Sequence, residues 1–467
     1  MKKQLFFDDS RLFGKDNVKR VYGQPTLIED AIYNDGICST DFCTGNVFKL
    51  SNDKYRMLYF GHSTKFKGKK LFAAISDDGI YFVPETLKGM EGTDYPHEIM
   101  TLPRNSEVGF IYEDPAGTTE RYKLLMSEPD WNTMSVHDTI YTSSDLLHWT
   151  KKENVSWGDG TEPLVSVFYN SHKNCHTIVE RPFWGVRTVG QKTTADWEQF
   201  SDFRHTLGVD SEEEHLAEIY GMFAFAYDGM YIGLPHMYRE LSSEFSAKYK
   251  NGIIDTQLAY SEDGEYWHRS LKAPFISGTL ENTKDRHEII WITSMTRGEK
   301  GDVYLHGSSS KLVHGPAFHE PGTGEILTYR LRADGFIGLE SVDPTISARI
   351  ITREKIWHGG NLYVNLKAKE ATVAVYITDE SEIVSGNVLG IAAPIPGYGH
   401  EDCIPFSGDN TDFSPVYKSG KTLDELVGKT IVFEVRFTDG TLYSIAGDYT
   451  DVFNTQGARY RRFGVLP

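Results

Sequence analysis

From the N-terminus to about residue 345, short apolar runs alternate with turns built from glycine, asparagine and aspartate. Tyr55-Arg56-Met57-Leu58-Tyr59-Phe60, Lys70-Leu71-Phe72-Ala73-Ala74-Ile75-Ser76 and Met230-Tyr231-Ile232-Gly233-Leu234 are typical. Such runs are too short for helices and are bounded by turn residues, so they read as strands. Within one unit they follow an order: a run led by small residues, a turn such as Ser51-Asn52-Asp53, a tyrosine-rich run, a loop, and a run that enters a recurring turn. That order predicts a meander.

The recurring turn reads Ser/Thr-x-Asp-x-x-x-aromatic. Its copies are Ser76-Asp77-Asp78-Gly79 ending on Phe82, Ser143-Ser144-Asp145-Leu146 on Trp149, Thr194-Ala195-Asp196-Trp197 on Phe200, and Ser261-Glu262-Asp263-Gly264 on Trp267. A fifth, Ala333-Asp334-Gly335-Phe336, has lost the serine and the final aromatic. The aspartates step by 67, 51, 67 and 71 residues, which suits one four-stranded sheet with irregular loops, the unit of a β-propeller. Ser/Thr and Asp can bond nearby backbone amides to close a tight turn, with the aromatic packing over the next strand. A chemical role would not need five copies, so the repeat is scaffold.

From about Ser347 the runs lengthen, as in Thr430-Ile431-Val432-Phe433-Glu434-Val435-Arg436-Phe437, and Ala371-Thr372-Val373-Ala374-Val375-Tyr376-Ile377 alternates apolar with polar. Sheets with one solvated face follow, as in a sandwich. Thr422-Leu423-Asp424-Glu425-Leu426-Val427 is the one clear helical turn there. The expected architecture is therefore all-β: a five-bladed β-propeller over 1–345 and a C-terminal β-sandwich over 346–467, jointed near Asp343-Pro344.

Composition agrees. The 467 residues include 26 Tyr, 26 Phe and 8 Trp, which favour strands and offer flat faces for stacking on ligands. A formal charge of −18 repels phosphate backbones and anionic head groups, so no nucleic acid and no membrane surface is expected as partner, and a neutral ligand fits better. No run approaches the roughly 18 consecutive apolar residues of a membrane span. Acids interrupt the opening Met1-Lys2-Lys3-Gln4-Leu5-Phe6-Phe7-Asp8-Asp9 before a secretory core can form, and Cys38, Cys43, Cys175 and Cys403 lack paired metal spacing. A cytoplasmic location with reduced thiols is expected. Self-association into a homo-oligomer stays open.

If each blade begins with its innermost strand, the residue heading that strand looks into the funnel where the blades meet. An acid stands there every time: Asp41, Glu107, Glu162, Glu218 and Glu288, in steps of 66, 55, 56 and 70 that track the turn repeat. Carboxylates forced into one concavity repel, which raises the pKa of one and leaves another ionised. Glycosyl transfer requires such a pair: one acid protonates the leaving oxygen while an ionised partner attacks the anomeric carbon or activates water. The main rival use for a ring of acids is an accessory structural Ca²⁺; no cofactor is required. The bland alternative is that an acid merely bonds a strand end, the expected role of Glu288.

Around the third blade, Glu180-Arg181-Pro182-Phe183-Trp184-Gly185-Val186-Arg187 brings together charge and aromatic surface. Arg181 and Arg187 could hold vicinal hydroxyls or a carboxylate and Trp184 could stack on a sugar ring, the alternative being a buried strand whose arginines pair with neighbouring acids. His97 is a substrate-binding candidate at the pocket rim, with His137-Asp138, His236 and His287 as further rim histidines, although each alone is more often a loop residue. Glu113-Asp114-Pro115-Ala116-Gly117 reads as a turn between strands, and Asp210-Ser211-Glu212-Glu213-Glu214 as a solvated loop. No glycine-rich phosphate loop and no Gly-x-Ser-x-Gly elbow is present.

With five blade repeats, acids heading the inner strands and a trailing sandwich, the chain resembles the five-bladed propeller glycosidases, the invertase, levanase and arabinanase superfamily, and a bacterial branch of it most. The segments that carry this are Leu5-Phe6-Phe7-Asp8-Asp9, Glu120-Arg121-Tyr122-Lys123, residues 255–269, Leu331-Arg332-Ala333-Asp334-Gly335-Phe336 and Asn361-Leu362-Tyr363-Val364-Asn365. The resemblance implies Asp41 as nucleophile or base, Glu107 as the residue that positions the sugar and stabilises the transition state, and Glu162 as general acid, with Glu218 as its substitute. The invertase triplets Asn-Asp-Pro-Asn, Arg-Asp-Pro and Glu-Cys are absent, so the sugar is left open. A glycoside hydrolase acting on a small carbohydrate, a fructoside or arabinoside among the options, is the expected function. A glycoside phosphorylase or a non-catalytic sugar-binding propeller are the alternatives.

Overall fold

The computed structural model describes residues 1–38, 45–103, 106–117, 119–130, 133, 135–158, 161–182, 187–211, 213, 217–240, 252–277, 287–314, 323–377 and 393–452. At 107, 108, 129, 130 and 161–163 it describes the backbone only. The fold is all-β; among the described residues no helix is long and apolar enough to cross a membrane, and one of two single 3₁₀ turns is the expected Leu423–Leu426. Two compact units divide the chain, Pro25–Leu331 and Met1–Gln24 with Arg332–Pro467.

The first unit is a five-bladed propeller. Blade 1 is Asn46–Lys49, Tyr55–His62, Lys69–Ser76 and Val83–Pro84, and blade 2 is Glu107–Glu113, Tyr122–Asp130, Ser135–Ser143 and Thr150–Lys151, each an antiparallel meander. Blade 3 runs Thr161–Asn170, Cys175–Pro182, Val189–Thr194, Arg204–Leu207. In blade 4, Ala217–Tyr227 pairs with Met230–Glu240, whose other edge takes both Gly252–Thr256 and Ala259–Ser261. Blade 5 is Ile289–Arg297, Val303–Ser310 and Glu325–Leu331, and its fourth strand is Thr26–Leu27, from the beginning of the unit.

The recurring turn works as its residues predict in four blades. In blade 1 the Gly79 amide donates to Ser76 Oγ (3.0 Å), and the Ile80 and Tyr81 amides donate to Asp78 Oδ1 (2.8 and 3.0 Å). Asp145, Asp196 and Asp263 accept the equivalent amide pairs. Geometry forces the residue after each aspartate to positive φ, satisfied by Gly79 (75°) and Gly264 (75°) but also by Leu146 (71°) and Trp197 (60°), where burial of a large side chain offsets the strain.

The fifth copy departs from this pattern. Asp334 lies in the other unit, where its carboxylate accepts from Lys3 Nζ and Ser444 Oγ, both at 2.7 Å, instead of closing a blade. The reason is that blade 5 is already completed by Thr26–Leu27, so the chain leaves after Leu331. The division expected at 345/346 therefore falls at 331/332, and Asp343-Pro344 sits inside the second unit.

Residues 1–24 also move to that unit. Lys2–Leu5 pairs with Thr430–Asp451, and Val18–Tyr22 pairs with Ile337–Ser341. All eight strands of this unit form one hydrogen-bonded network, through which Lys355–Ile377 and Thr430–Asp451 run for 23 and 22 residues.

Side chains lock the inner strands of the propeller. Asn46 Nδ2 of blade 1 donates to Thr293 O of blade 5 (3.0 Å), and its Oδ1 accepts the Ile111 amide of blade 2 (3.3 Å). Ser166 Oγ of blade 3 donates to Met222 O (3.1 Å) and accepts the Ala224 amide (3.0 Å), both of blade 4. All are buried, where an abandoned backbone group is costly. Asn46→Ala should lower stability by about 2–3 kcal/mol, read as a fall in the urea midpoint at unchanged m-value; an unchanged midpoint would remove Asn46 from this role.

Candidate functional site

Among the described residues the acid series falls at the inner-strand starts, to within two positions. Glu107 is the first residue of its inner strand, Glu162 and Glu218 are each the second of theirs, and Glu288 directly precedes its own. These inner strands lie side by side in chain order, with blade 5 returning to blade 1. Asp41 lies outside the described residues, and of Glu107 and Glu162 the backbone alone is described. Glu288 uses its backbone structurally, its amide donating to Ser310 O (2.8 Å) and its carbonyl accepting the Ile254 amide of blade 4 (2.9 Å).

Glu218 is the strand-head acid whose surroundings are described in detail. Its carboxylate pairs with Arg187, and both side chains are partly exposed. Tyr220, two residues on, sits at a bulge in the pairing, between Ile219 opposite Met237 and Gly221 opposite His236. Cross-strand pairing sets Tyr238 opposite Glu218. The Arg187 guanidinium stands 5.0 Å from the Tyr220 ring centre and 5.3 Å from that of Tyr238. Arg181, only 1% exposed, lies 4.2 Å from the Tyr220 ring and donates to Tyr220 O at 3.0 Å. Two cations thus share one aromatic platform, an arrangement that favours charge near the ring faces and fixes both guanidinium planes.

Beneath it, Tyr220 packs on Trp291 (5.1 Å) and His314 (5.0 Å), and His314 Nε2 is 2.7 Å from the Tyr220 hydroxyl. Tyr238 meets the same histidine edge to face, yet among the described residues its buried hydroxyl has no hydrogen-bond partner. Burial first, then the nearby Glu240 charge, push the Tyr238 phenol up to about 12, so it stays protonated.

Other expected site residues land elsewhere. Trp184 lies outside the described residues. His97 is not at a rim: it is 7% exposed, packed 4.9 Å from the Phe72 ring, with Nε2 3.3 Å from Asp35 Oδ2. Asp35 also accepts the Tyr59 hydroxyl and the Ile37 and Cys38 amides (3.0 and 3.1 Å). Burial alone would raise Asp35; the contacts from His97, Tyr59 and the Ile37 amide outweigh it and hold the carboxyl below its ordinary value.

His236 is fully buried against Ile292 O (3.2 Å), and burial drives it down to about 3, so it is a neutral core residue. His287 pairs with Glu325 at 2.8 Å, and Asp138 accepts from Ser127 Oγ at 2.6 Å. The acid-rich loop is not simply solvated, because Glu213 forms a buried two-pronged pair with Arg269 at 2.6 Å. Asp114 does close the expected turn, accepting the Ala116 amide at 2.9 Å. Among the described residues no group of three or more His, Cys or carboxylate side chains is placed to hold a metal.

Sequence reasoning missed Tyr220, Tyr238 and His314. Tyr220 sits at a strand bulge that no alternation pattern announces. His314 lies between the second and third strands of blade 5 and no local pattern marks it.

No protein-family model and no curated protein matches the sequence. Among solved structures the chain is similar to a β-1,2-mannobiose phosphorylase from Listeria innocua in complex with β-1,2-mannobiose, at 12% identity over 69% of this chain and 98% of that one, TM-score 0.44. It is also similar to an N-acetylgalactosamine deacetylase from F. plautii in complex with blood group B trisaccharide, at 11% identity over 68% and 96%, TM-score 0.43. A thermostable family-43 glycoside hydrolase matches at 13% identity over 68% and 96%, TM-score 0.41.

The two tyrosines should behave oppositely. Tyr220→Phe loses its bond to His314 and should cost about 1–2 kcal/mol. Tyr238→Phe removes an unpartnered buried hydroxyl, so it should leave the melting temperature unchanged or raise it. Differential scanning calorimetry of both variants decides this, and a larger loss at Tyr238 than at Tyr220 would contradict the assignment.

Proposed function

We propose that the protein is a glycoside hydrolase that takes a small oligosaccharide or glycoside, a furanoside such as a fructoside or arabinoside among the candidates, into the mouth of the propeller where the inner strands begin. The observation that carries this reading is the placing of acids at the starts of adjoining inner strands, to within two positions, next to a guanidinium and tyrosine platform. Asp41 serves as nucleophile or base and Glu107 holds ring hydroxyls. A proton donor must turn an oxygen toward the leaving group, and Glu218 commits its carboxylate to Arg187. Proton donation therefore falls to Glu162 first, with Glu218 orienting Arg187 and standing as the alternative donor.

In the reaction the bond from the anomeric carbon to the leaving oxygen breaks as that oxygen receives the acid's proton. Asp41 either attacks the anomeric carbon or takes a proton from the water that does. Carboxyl groups about 5–5.5 Å apart give retention and about 6.5–9.5 Å give inversion. Arg187 and Trp184 would bind the sugar, with the buried Arg181 holding the Tyr220 ring in place.

A second reading, phosphorolysis, is favoured by one observation, the partly exposed Arg187 guanidinium beside Glu218. It could place inorganic phosphate where water would otherwise attack.

Asp41→Asn, Glu107→Gln, Glu162→Gln and Glu218→Gln, assayed on a panel of 4-nitrophenyl glycosides with and without phosphate, test both readings. Asp41→Asn and Glu162→Gln should lose about 10²–10⁴-fold in kcat. Near-wild-type rates in all four variants sink the acid assignment. Turnover that requires phosphate selects the phosphorylase.

A further inference from the structure

At the opposite ends of the inner strands lies a second concavity that the proposed reaction does not use. It encloses about 600 Å³ and is lined from all five blades. Four of its walls follow the acid series: Phe48, Tyr169, Phe225 and Met295 each stand seven residues after Asp41, Glu162, Glu218 and Glu288. Blade 2 contributes Tyr112 instead. In blades 3 and 4 those seven residues lie within one strand, Thr161–Asn170 and Ala217–Tyr227, and span about 20 Å, so the collar is remote from these strand heads.

Its chemistry is one-sided. Of its polar lining residues, Asn46, Tyr112, Glu113, Tyr169 and Ser294 have side chains already engaged, and Ser171 adds one further hydroxyl. Asn46 bonds Thr293 O and the Ile111 amide, and Tyr112 meets His176 Nδ1 at 3.0 Å. Glu113 accepts from Arg121 Nε at 2.8 Å, Tyr169 donates to Asn174, and Ser294 Oγ accepts the Val47 amide at 3.0 Å. A sugar entering here would strip water from its hydroxyls and find few partners. Phe225, Tyr169 and Met295, by contrast, are left partly exposed around the opening.

The geometry points to a second binding site, in which an uncharged, apolar, ring-containing small molecule sits in the five-blade collar. The volume lies in the usual range for small-molecule sites, roughly 300–1,000 Å³, and such sites are mostly apolar with few polar groups. Met295 supplies a side chain that adapts to different shapes. An anionic ligand is disfavoured by Glu113 and by the formal charge of −18. This site stands apart from the proposed reaction and does not depend on it.

Fluorescence titration of the full chain with the neutral probe N-phenyl-1-naphthylamine tests the proposal. Enhanced, blue-shifted emission should saturate at one probe per chain. Phe225→Asp and the milder Met295→Gln should weaken binding at least tenfold. Val342→Asp, at an apolar position 60% exposed in the other unit, should not change it. Melting curves establish that each variant is folded, and if Phe225→Asp does not fold, Met295→Gln decides. Absence of saturable binding, equal binding by wild type and a folded Met295→Gln protein, or displacement of the probe by millimolar fructose or arabinose would overturn it.

Discussion

Everything in the propeller depends on closing a ring with a chain that has two ends. Three blades are finished by the strand that follows their own aspartate turn and blade 4 by single bridges at His268 and Ile276, but the fifth cannot close this way. Its outer strand is Thr26–Leu27, whose Leu27 faces Tyr329 and Thr26 faces Arg330. First and last parts of the unit are thereby hydrogen-bonded in one sheet, so no blade can slip without breaking pairing elsewhere. Register is a discrete property of strands, since a shift by one residue inverts every side chain. Ring closure sets the inner strands side by side around the ring.

Inside the ring, buried polar side chains supply the coupling that apolar contact alone would leave loose. Asn46 ties three blades, while Ser166 spans two. Each satisfies backbone groups that have no partner within their own sheet, a directional requirement that packing of Phe, Ile and Leu does not impose. Gly109 and Gly307 show how tight the sheets are there, because an added Cβ would lie 1.8 Å from the carbonyl oxygen of Leu125 or Trp291. Rigidity at the strand heads matters for the proposed chemistry, which needs acids and cations held at fixed separations.

Much of this was legible in the sequence because it is local. The turn repeat uses hydrogen bonds across two or three residues, so Ser143 and Asp145 announce their geometry without reference to the rest of the chain. The acid series was picked out as a second series 34 to 46 residues ahead of the repeat aspartates. Long-range pairing was not: nothing in Lys2–Leu5 signals that its partner is Thr430–Asp451, or that Asp334 meets Lys3 and Ser444. Histidines were misjudged where burial decides, as at His97 and His236, because composition around a histidine does not reveal its depth. Glu213 looked solvated within an acidic run, yet its partner Arg269 is 56 residues away.

The platform of Arg181, Arg187, Tyr220 and Tyr238 links these levels. Cross-strand register sets Tyr238 opposite Glu218, ring closure brings Trp291 against Tyr220, and the guanidinium groups pack on these buried rings. The central claim is that this construction delivers strand-head acids close enough to share one glycosidic bond. Crystallographic carboxyl-to-carboxyl separations among Asp41, Glu107, Glu162 and Glu218 measure it most directly. The account predicts at least one pair that includes Asp41 within about 5–9.5 Å, both groups facing the propeller mouth. Separations all beyond about 10 Å, or carboxyl groups turned into the blades, would contradict it.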